Sequence, residues 1–238
     1  MMNRSDVIQA TLEKGVFTIR LQRVRQANAL NCEMYDELSK LILYAKENAS
    51  VNAVVLTAEG KFFSAGADVK EFSDLPASDA ALLRRGKLLK ALCELALLNK
   101  PLISALQGPA IGGGFMLALA CDEIIIASGA WVSMPESTFG MPSPIGIELL
   151  RQRTDRRHLH RLIQWGEKLL PEDALHCGIA SAVCSKEEID QVSHLAASRY
   201  SESNLGAYAA NKMWLNHGLV ERFKQAAEFA TSGSLKSN

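Results

Sequence analysis

The chain predicts an α/β core followed by a helical C-terminal portion. Three observations carry that prediction. Short β-branched runs alternate with helical stretches up to about residue 146, and the pattern beyond is almost wholly helical. Between a strand and a helix stands a glycine triplet, Gly112-Gly113-Gly114. At 238 residues the chain holds one generous domain or a core with an appendage, divided here as a core over 1–185 and a helical region over 186–238.

The elements follow in order. Val7 to Leu12 and Val16 to Leu21 read as two strands around a Lys14-Gly15 turn. A basic loop with Arg23 and Arg25 comes next. Asn31 is an N-cap, with Met34, Leu38, Leu41, Ile42 and Ala45 on one helical face. Ala53 to Thr57 reads as a buried parallel strand, and Phe62-Phe63 lead into the tight turn Ser64-Ala65-Gly66-Ala67-Asp68. Ala80 to Leu98 is helical and stops at Asn99-Lys100-Pro101. Leu102 to Leu106, Glu123 to Ala127 and Trp131 to Ser133 continue the strand pattern. Pro171 opens a helix that Gly178 ends. A single long helical pattern runs from about Asn204 to Ala230, and 232–238 reads as frayed.

Composition excludes several classes of function. Hydrophobic residues make up 48% and charged residues 22%, as in an ordinary globular enzyme. Net charge is zero, so no nucleic-acid footprint or electrostatic membrane anchor is expected. No apolar run approaches the roughly 20 residues that span a bilayer. Met1 to Asp6 is polar and lacks a signal-peptide core. The five cysteines form no C-x-x-C pair, which predicts free thiols in a reducing, cytoplasmic setting.

Two glycine-containing turns follow strands, at 65–68 and 112–114. Glycines let backbone N–H groups approach a ligand closely, and a helix N-terminus favours negative charge. If the two strands are neighbours, one N–H from each turn converges on one carbonyl oxygen, which suits a developing oxyanion. Ordinary turns between strands and helices are the other reading of the pattern alone.

The residues together resemble the crotonase (enoyl-CoA hydratase/isomerase) superfamily. Asn28-Ala29-Leu30-Asn31 resembles its N-A-L-N segment, and Phe63-Ser64-Ala65-Gly66-Ala67-Asp68-Val69-Lys70-Glu71 its F-x-A-G-A-D-x-K-E signature. Lys100-Pro101-Leu102-Ile103-Ser104-Ala105, with Gly108 through Asp122, resembles K-P-x-I-x-A followed by G-x-x-x-G-G-G. Pro135-Glu136 with Gly140, and Pro171 to Ala180, match later family segments in order. The resemblance implies the ClpP/crotonase fold, a crotonase-like spiral of ββα units with a helical C-terminal region. It also implies trimers or hexamers, an acyl-CoA thioester substrate and no metal or redox cofactor.

Carried over by position, the oxyanion donors are the backbone N–H groups of Ala67 and Gly113. The family's hydratases carry two glutamates; here the first position is Met116 and the second is Glu136. A thioether moves no proton, whereas one carboxylate can take a proton from C2 of a 3-enoyl-CoA and return it at C4. The pattern is that of Δ3,Δ2-enoyl-CoA isomerases. A hydratase or lyase, and a silent acyl-CoA-binding member, are the alternatives.

An aspartate used by some relatives falls near Pro144, where this chain has no carboxylate, and Glu148 reads as a solvated helix residue. Arg23, Arg25 and Lys70 are candidate partners for the CoA phosphates, with Ala65, Asp68 and Met116 lining the substrate site. Phe139 and Trp131 are expected to desolvate Glu136. The arginine-rich stretch Arg151 to Arg161 reads as a subunit contact or a solvated face, and its His158 and His160 are too badly spaced on a helix to bind metal together. The chain also stops before the family's A-F-x-x-K-R helix, which weakens expectations about CoA affinity and assembly.

Overall fold

The computed structural model describes residues 3–232. Strands β1 (Asn3–Arg4), β2 (Ile8–Glu13) and β3 (Val16–Leu21) form an antiparallel meander. Its tight turn needs positive φ at both central residues, and Lys14 and Gly15 supply 48° and 82°. Helix α1 (Cys32–Glu47) crosses over to β4 (Ala53–Ala58), which pairs parallel with β3. The expected Asn31 cap forms, its side-chain oxygen accepting the Met34 N–H at 3.0 Å. Helix α2 (Ala77–Ala96) leads to β5 (Leu102–Leu106), parallel to β4.

After β5 come β6 (Ala110–Ile111), α3 (Gly113–Leu119), β7 (Glu123–Ala127) and β8 (Val132–Ser133). A 3-10 turn, Pro135–Phe139, precedes α4 (Pro144–Leu150), α5 (Arg156–Trp165) and α6 (Pro171–His176). The chain ends with β9 (Ala182–Cys184), α7 (Ile189–Ser201), α8 (Leu205–Leu215) and α9 (Leu219–Ser232). The main sheet has the order β1-β2-β3-β4-β5-β7-β9 and is parallel from β3 onward. Every residue of β4 and β5 is buried, as parallel strands covered on both faces require. Helix α7 packs across β3, β4, β5 and β7, and α9 rests on α2 and α4.

Of a second layer of pairing, the sequence reading holds only the strand over Trp131 to Ser133, which is β8. β6 and β8 are parallel, and single bridges extend them: Ser64 to Ala110, Leu30 to Ala67, and Val132 to Leu169. The Ile111 N–H donates to the Ser64 carbonyl at 2.9 Å, and the Gly112 N–H donates to the Ser133 carbonyl at 2.9 Å. Segments around 64, 110 and 132 therefore run side by side, and each turns sharply just after its pairing point.

The expected single helix over Asn204 to Ala230 is two helices. Gly218, at φ 72°, and the Asn216-His217 turn break it, so α9 leaves α8 and reaches α2 and α4. The frayed reading of 232–238 lies, beyond Ser232, outside the described residues. Among the described residues no helix is long and apolar enough to cross a membrane.

Candidate active site

The three glycines of the triplet have three different reasons to be glycine. Gly112 takes φ 52° and ψ −121°, a conformation closed to side chains. A Cβ there would also stand 2.8 Å from Glu136 Oε1. Gly114 packs so tightly on Ser64 that a Cβ would lie 2.5 Å from the serine's own. Gly113 leaves room for a methyl, which would make ordinary contacts with Leu30 Cδ1 at 3.7 Å, the Tyr35 hydroxyl at 3.7 Å and the Ala67 nitrogen at 3.8 Å.

The Ala67 turn is held from both sides. The Leu30 N–H donates to the Gly66 carbonyl at 2.7 Å, and the Asp68 N–H donates to the Leu30 carbonyl at 2.9 Å. Ser64 Oγ donates to the Asn28 carbonyl at 2.8 Å and accepts the Gly66 N–H at 3.2 Å, so this buried serine is a strut. Asn28 anchors the loop further through its amide, which donates to the carbonyls of Glu59 and Phe62 at 2.9 Å and 2.8 Å. Gly66, at φ 91°, lies against α3, its position for a Cβ being 3.6 Å from the Gly113 nitrogen. Among the described residues neither the Ala67 N–H nor the Gly113 N–H donates to a protein acceptor. The two expected donors thus border one hollow with no protein acceptor for either, Gly113 buried and Ala67 half-buried. Helix α3 has only seven residues, so the donors themselves carry the site rather than the helix dipole.

Glu136 stands beside this hollow, over Gly112. Its Oε2 is buried with no hydrogen-bond partner. Burial pushes its carboxyl up to about 7, opposed only by its own backbone N–H. Phe139 is 71% exposed and Trp131 lies under the Lys168 ammonium, 4.5 Å from the ring centroid. The structure therefore corrects the expectation that Phe139 desolvates Glu136: its ring points to solvent at the end of the 3-10 turn.

Met116 is buried in the core. A Cβ built on Gly146 would meet the Met116 methyl at 3.3 Å, Met134 Sδ at 3.2 Å and Ser143 Oγ at 2.7 Å. No carboxylate joins that group, and the Ser143 hydroxyl is buried without a partner. Glu148 is paired rather than free, with Arg151 at 2.5 Å and with Arg222 of α9 at 3.3 Å.

Of the candidate phosphate partners, Arg25 and Lys70 are exposed. Arg23 is committed: its guanidinium pairs with Asp68 at 2.9 Å and also donates to the Ala29 carbonyl. Asp68 accepts the Lys70 N–H at 3.1 Å as well, so Arg23 and Asp68 together clasp the Ala67 turn. The half-buried Ala65 joins the same stitching, its N–H donating to the Ala27 carbonyl at 2.9 Å. Arg153 departs from the solvated face expected of its stretch: it is turned inward onto the carbonyls of Leu119, Cys121 and Asp122.

Sequence reasoning missed Tyr35. It is 3% exposed, and its spacing of three to Leu38 and seven to Ile42 places it on the same buried face. That spacing was the available signal.

Comparison with known proteins gives the family. Residues 11–234 match the family model described as enoyl-CoA hydratase/isomerase. A "Probable enoyl-CoA hydratase" of Bacillus subtilis is 33% identical over 214 residues, 88% of this chain and 79% of that protein. A carnitinyl-CoA dehydratase of Proteus mirabilis is 32% identical over 87% of this chain and 79% of its own. Among solved structures, an enoyl-CoA hydratase from Bacillus anthracis superposes with a TM-score of 0.84 at 26% identity, covering 95% of this chain and 90% of its own. An apo enoyl-CoA isomerase of Mycobacterium tuberculosis gives 0.88 at 22% identity over 98% of this chain and 100% of its own, which speaks to fold alone. With its crotonase architecture of a mostly parallel sheet and helical C-terminus, the chain belongs to the enoyl-CoA hydratase/isomerase family of the crotonase superfamily.

Proposed function

We propose that the chain isomerises 3-enoyl-CoA thioesters to 2-enoyl-CoA thioesters, with Glu136 as the only proton-transfer group. One observation carries the reading. Among the described residues Glu136 is the buried carboxyl at the site, poised near 7, while the second carboxyl position is a methionine packed near Met134 and Gly146. The thioester oxygen sits between the N–H groups of Ala67 and Gly113. Ionised Glu136 takes the proton from C2, and the C–H electrons pass into the carbonyl to give a dienolate. The two N–H groups hold its oxygen, and losing one such donor typically costs about 10²–10³ in rate. Protonated Glu136 then returns the proton at C4, the carbonyl reforms and the double bond lies between C2 and C3. Atoms and electrons balance with no cofactor.

In this reading Arg25 and Lys70 meet the CoA phosphates, while Arg23, Asp68 and Ala65 shape the turn. The chain assembles as a homotrimer or hexamer, for which the exposed run Met213-Trp214-Leu215 on α8 offers apolar surface. Sedimentation velocity checks the assembly.

Product analysis on a panel of 2-enoyl- and 3-enoyl-CoA esters tests the reaction. Conversion of the 3-enoyl esters with little hydration of crotonyl-CoA is expected, and rapid hydration overturns it. A hydratase or dehydratase is the second reading, favoured by the names of the relatives above 30% identity and by the partnerless Ser143 hydroxyl beside Met116, which could hold a water. Thermal stabilisation by acyl-CoA with no turnover of any ester is the outcome of a silent binding protein.

A further inference from the structure

The hollow beside Gly113 has a third polar wall that the family pattern does not assign. Tyr35 comes from the second turn of α1, and its hydroxyl oxygen and the Ala67 nitrogen lie 3.7 Å and 3.8 Å from the same point, the place a methyl on Gly113 would fill. The residue is 3% exposed, yet among the described residues its hydroxyl has no hydrogen-bond partner. The hydroxyl itself keeps some contact with solvent, so a ligand entering the hollow can meet it. Leu30 supplies an apolar neighbour, its Cδ1 at 3.7 Å from the same point.

The phenol is held firmly. Asn31 caps α1, and both Glu71 carboxylate oxygens accept the Cys32 N–H at 2.9 Å and 3.0 Å. The Leu30–Ala67 bridge ties the start of the helix to the oxyanion turn itself. The ring therefore keeps its place relative to Ala67 without help from substrate.

We infer that Tyr35 is a third oxyanion donor, its phenol O–H hydrogen-bonding the thioester oxygen of the bound acyl-CoA alongside the N–H groups of Ala67 and Gly113. A tyrosine hydroxyl is a recognised oxyanion-hole donor. Burial, with Cys32 and Glu71 nearby, raises the phenol's pKa and keeps its proton in place for donation. A donor here binds the enolate oxygen better than the ground-state carbonyl, so its effect falls on kcat more than on KM. The inference rests on the thioester reading above, but not on which family reaction follows enolate formation.

The test is Tyr35→Phe, which keeps the ring and removes only the hydroxyl. The carbonyl stretch of bound butyryl-CoA labelled with carbon-13 at C1 is read by isotope-edited infrared spectroscopy, in the unsubstituted protein and the variant. The protein should lower the stretch relative to free thioester, and Tyr35→Phe should give back part of that shift. On whichever ester the panel shows is turned over, kcat should fall on the order of 10²-fold with KM nearly unchanged. A carbonyl band that does not move between the two proteins overturns the inference, even if kcat falls, because a merely structural tyrosine would behave that way. No shift in the unsubstituted protein overturns the thioester reading itself, so the two failures are told apart.

Discussion

A carboxyl poised near 7 can be base and acid within one turnover, because neither protonation state is far from populated at neutral pH. Glu136 reaches that condition through burial alone, with one oxygen facing no partner and the other over Gly112. In the proposed reaction its ionised form is the base, so kcat/KM on 3-enoyl-CoA should climb through an apparent pKa near 7 and level off above it. Glu136→Gln keeps the shape and removes the proton transfer. Its rate should drop by about 10²–10⁴, and the ascending limb should vanish from the pH profile. A variant that keeps both rate and limb would take Glu136 out of the mechanism. Gly114 gives a second test at this scale. A Cβ at 2.5 Å from that of Ser64 forces apart the two turns that carry the donors, so Gly114→Ala should cost about 1–3 kcal/mol in urea unfolding and most of the activity.

The element that matters most is α3, a seven-residue helix buried along its whole length. So short a helix has little intrinsic stability and depends on its surroundings. Arg153 covers its far end, donating to the carbonyls of Leu119, Cys121 and Asp122. Asp122 in turn accepts from the Leu102 N–H at 2.8 Å and from buried Lys212 of α8 at 2.7 Å. Arg153→Met leaves those carbonyls without their donor, and about 3 kcal/mol should be lost in denaturant unfolding, with faster hydrogen exchange across α3. Unchanged stability and exchange would mean that water replaces the guanidinium. This clamp also shows where sequence reading stops. Strands β5 and β7 carry contiguous apolar runs, and the Pro171 and Gly178 signals are local, so all were legible. Arg153 reads as one more surface arginine because its burial depends on a helix end more than thirty residues away. The second layer of pairing consists of two-residue strands and single bridges, too short to leave a period in the sequence. The break between α8 and α9 has a local signal in Asn216-His217-Gly218, but apolar residues resume at Leu219-Val220 and the pattern reads as one helix.

At the scale of the whole molecule, the site is assembled from segments far apart in the chain, and the fold holds a partnerless carboxyl where those segments meet. The motifs marked Ala67, Gly113 and Glu136 as candidates one by one, but their proximity depends on the parallel layer and on no local stretch. That arrangement has a measurable thermodynamic consequence. Burial holds the Glu136 carboxyl at about 7 in the folded protein, against the ordinary 4.5 of an exposed glutamate. Between those values the folded state binds more protons than the unfolded state, so stability falls as pH rises through that window. Below about 4.5 both states are protonated and above about 7 both are ionised, so the contribution is flat outside the window. The shift amounts to about 3 kcal/mol when fully expressed. Glu136→Gln has no such proton to lose, so its melting temperature should overtake that of the unsubstituted protein as pH rises. For a chain of this size the gap between the two proteins should widen by roughly 6–12 °C between pH 4.5 and pH 8. Melting curves of both proteins across that range decide the matter. Parallel curves would mean that the folded carboxyl is solvated, and a solvated carboxylate with an ordinary pKa is too weak a base for the one-base reaction. A widening gap would show that the native state is destabilised at neutral pH by the same desolvation that poises Glu136 for proton transfer.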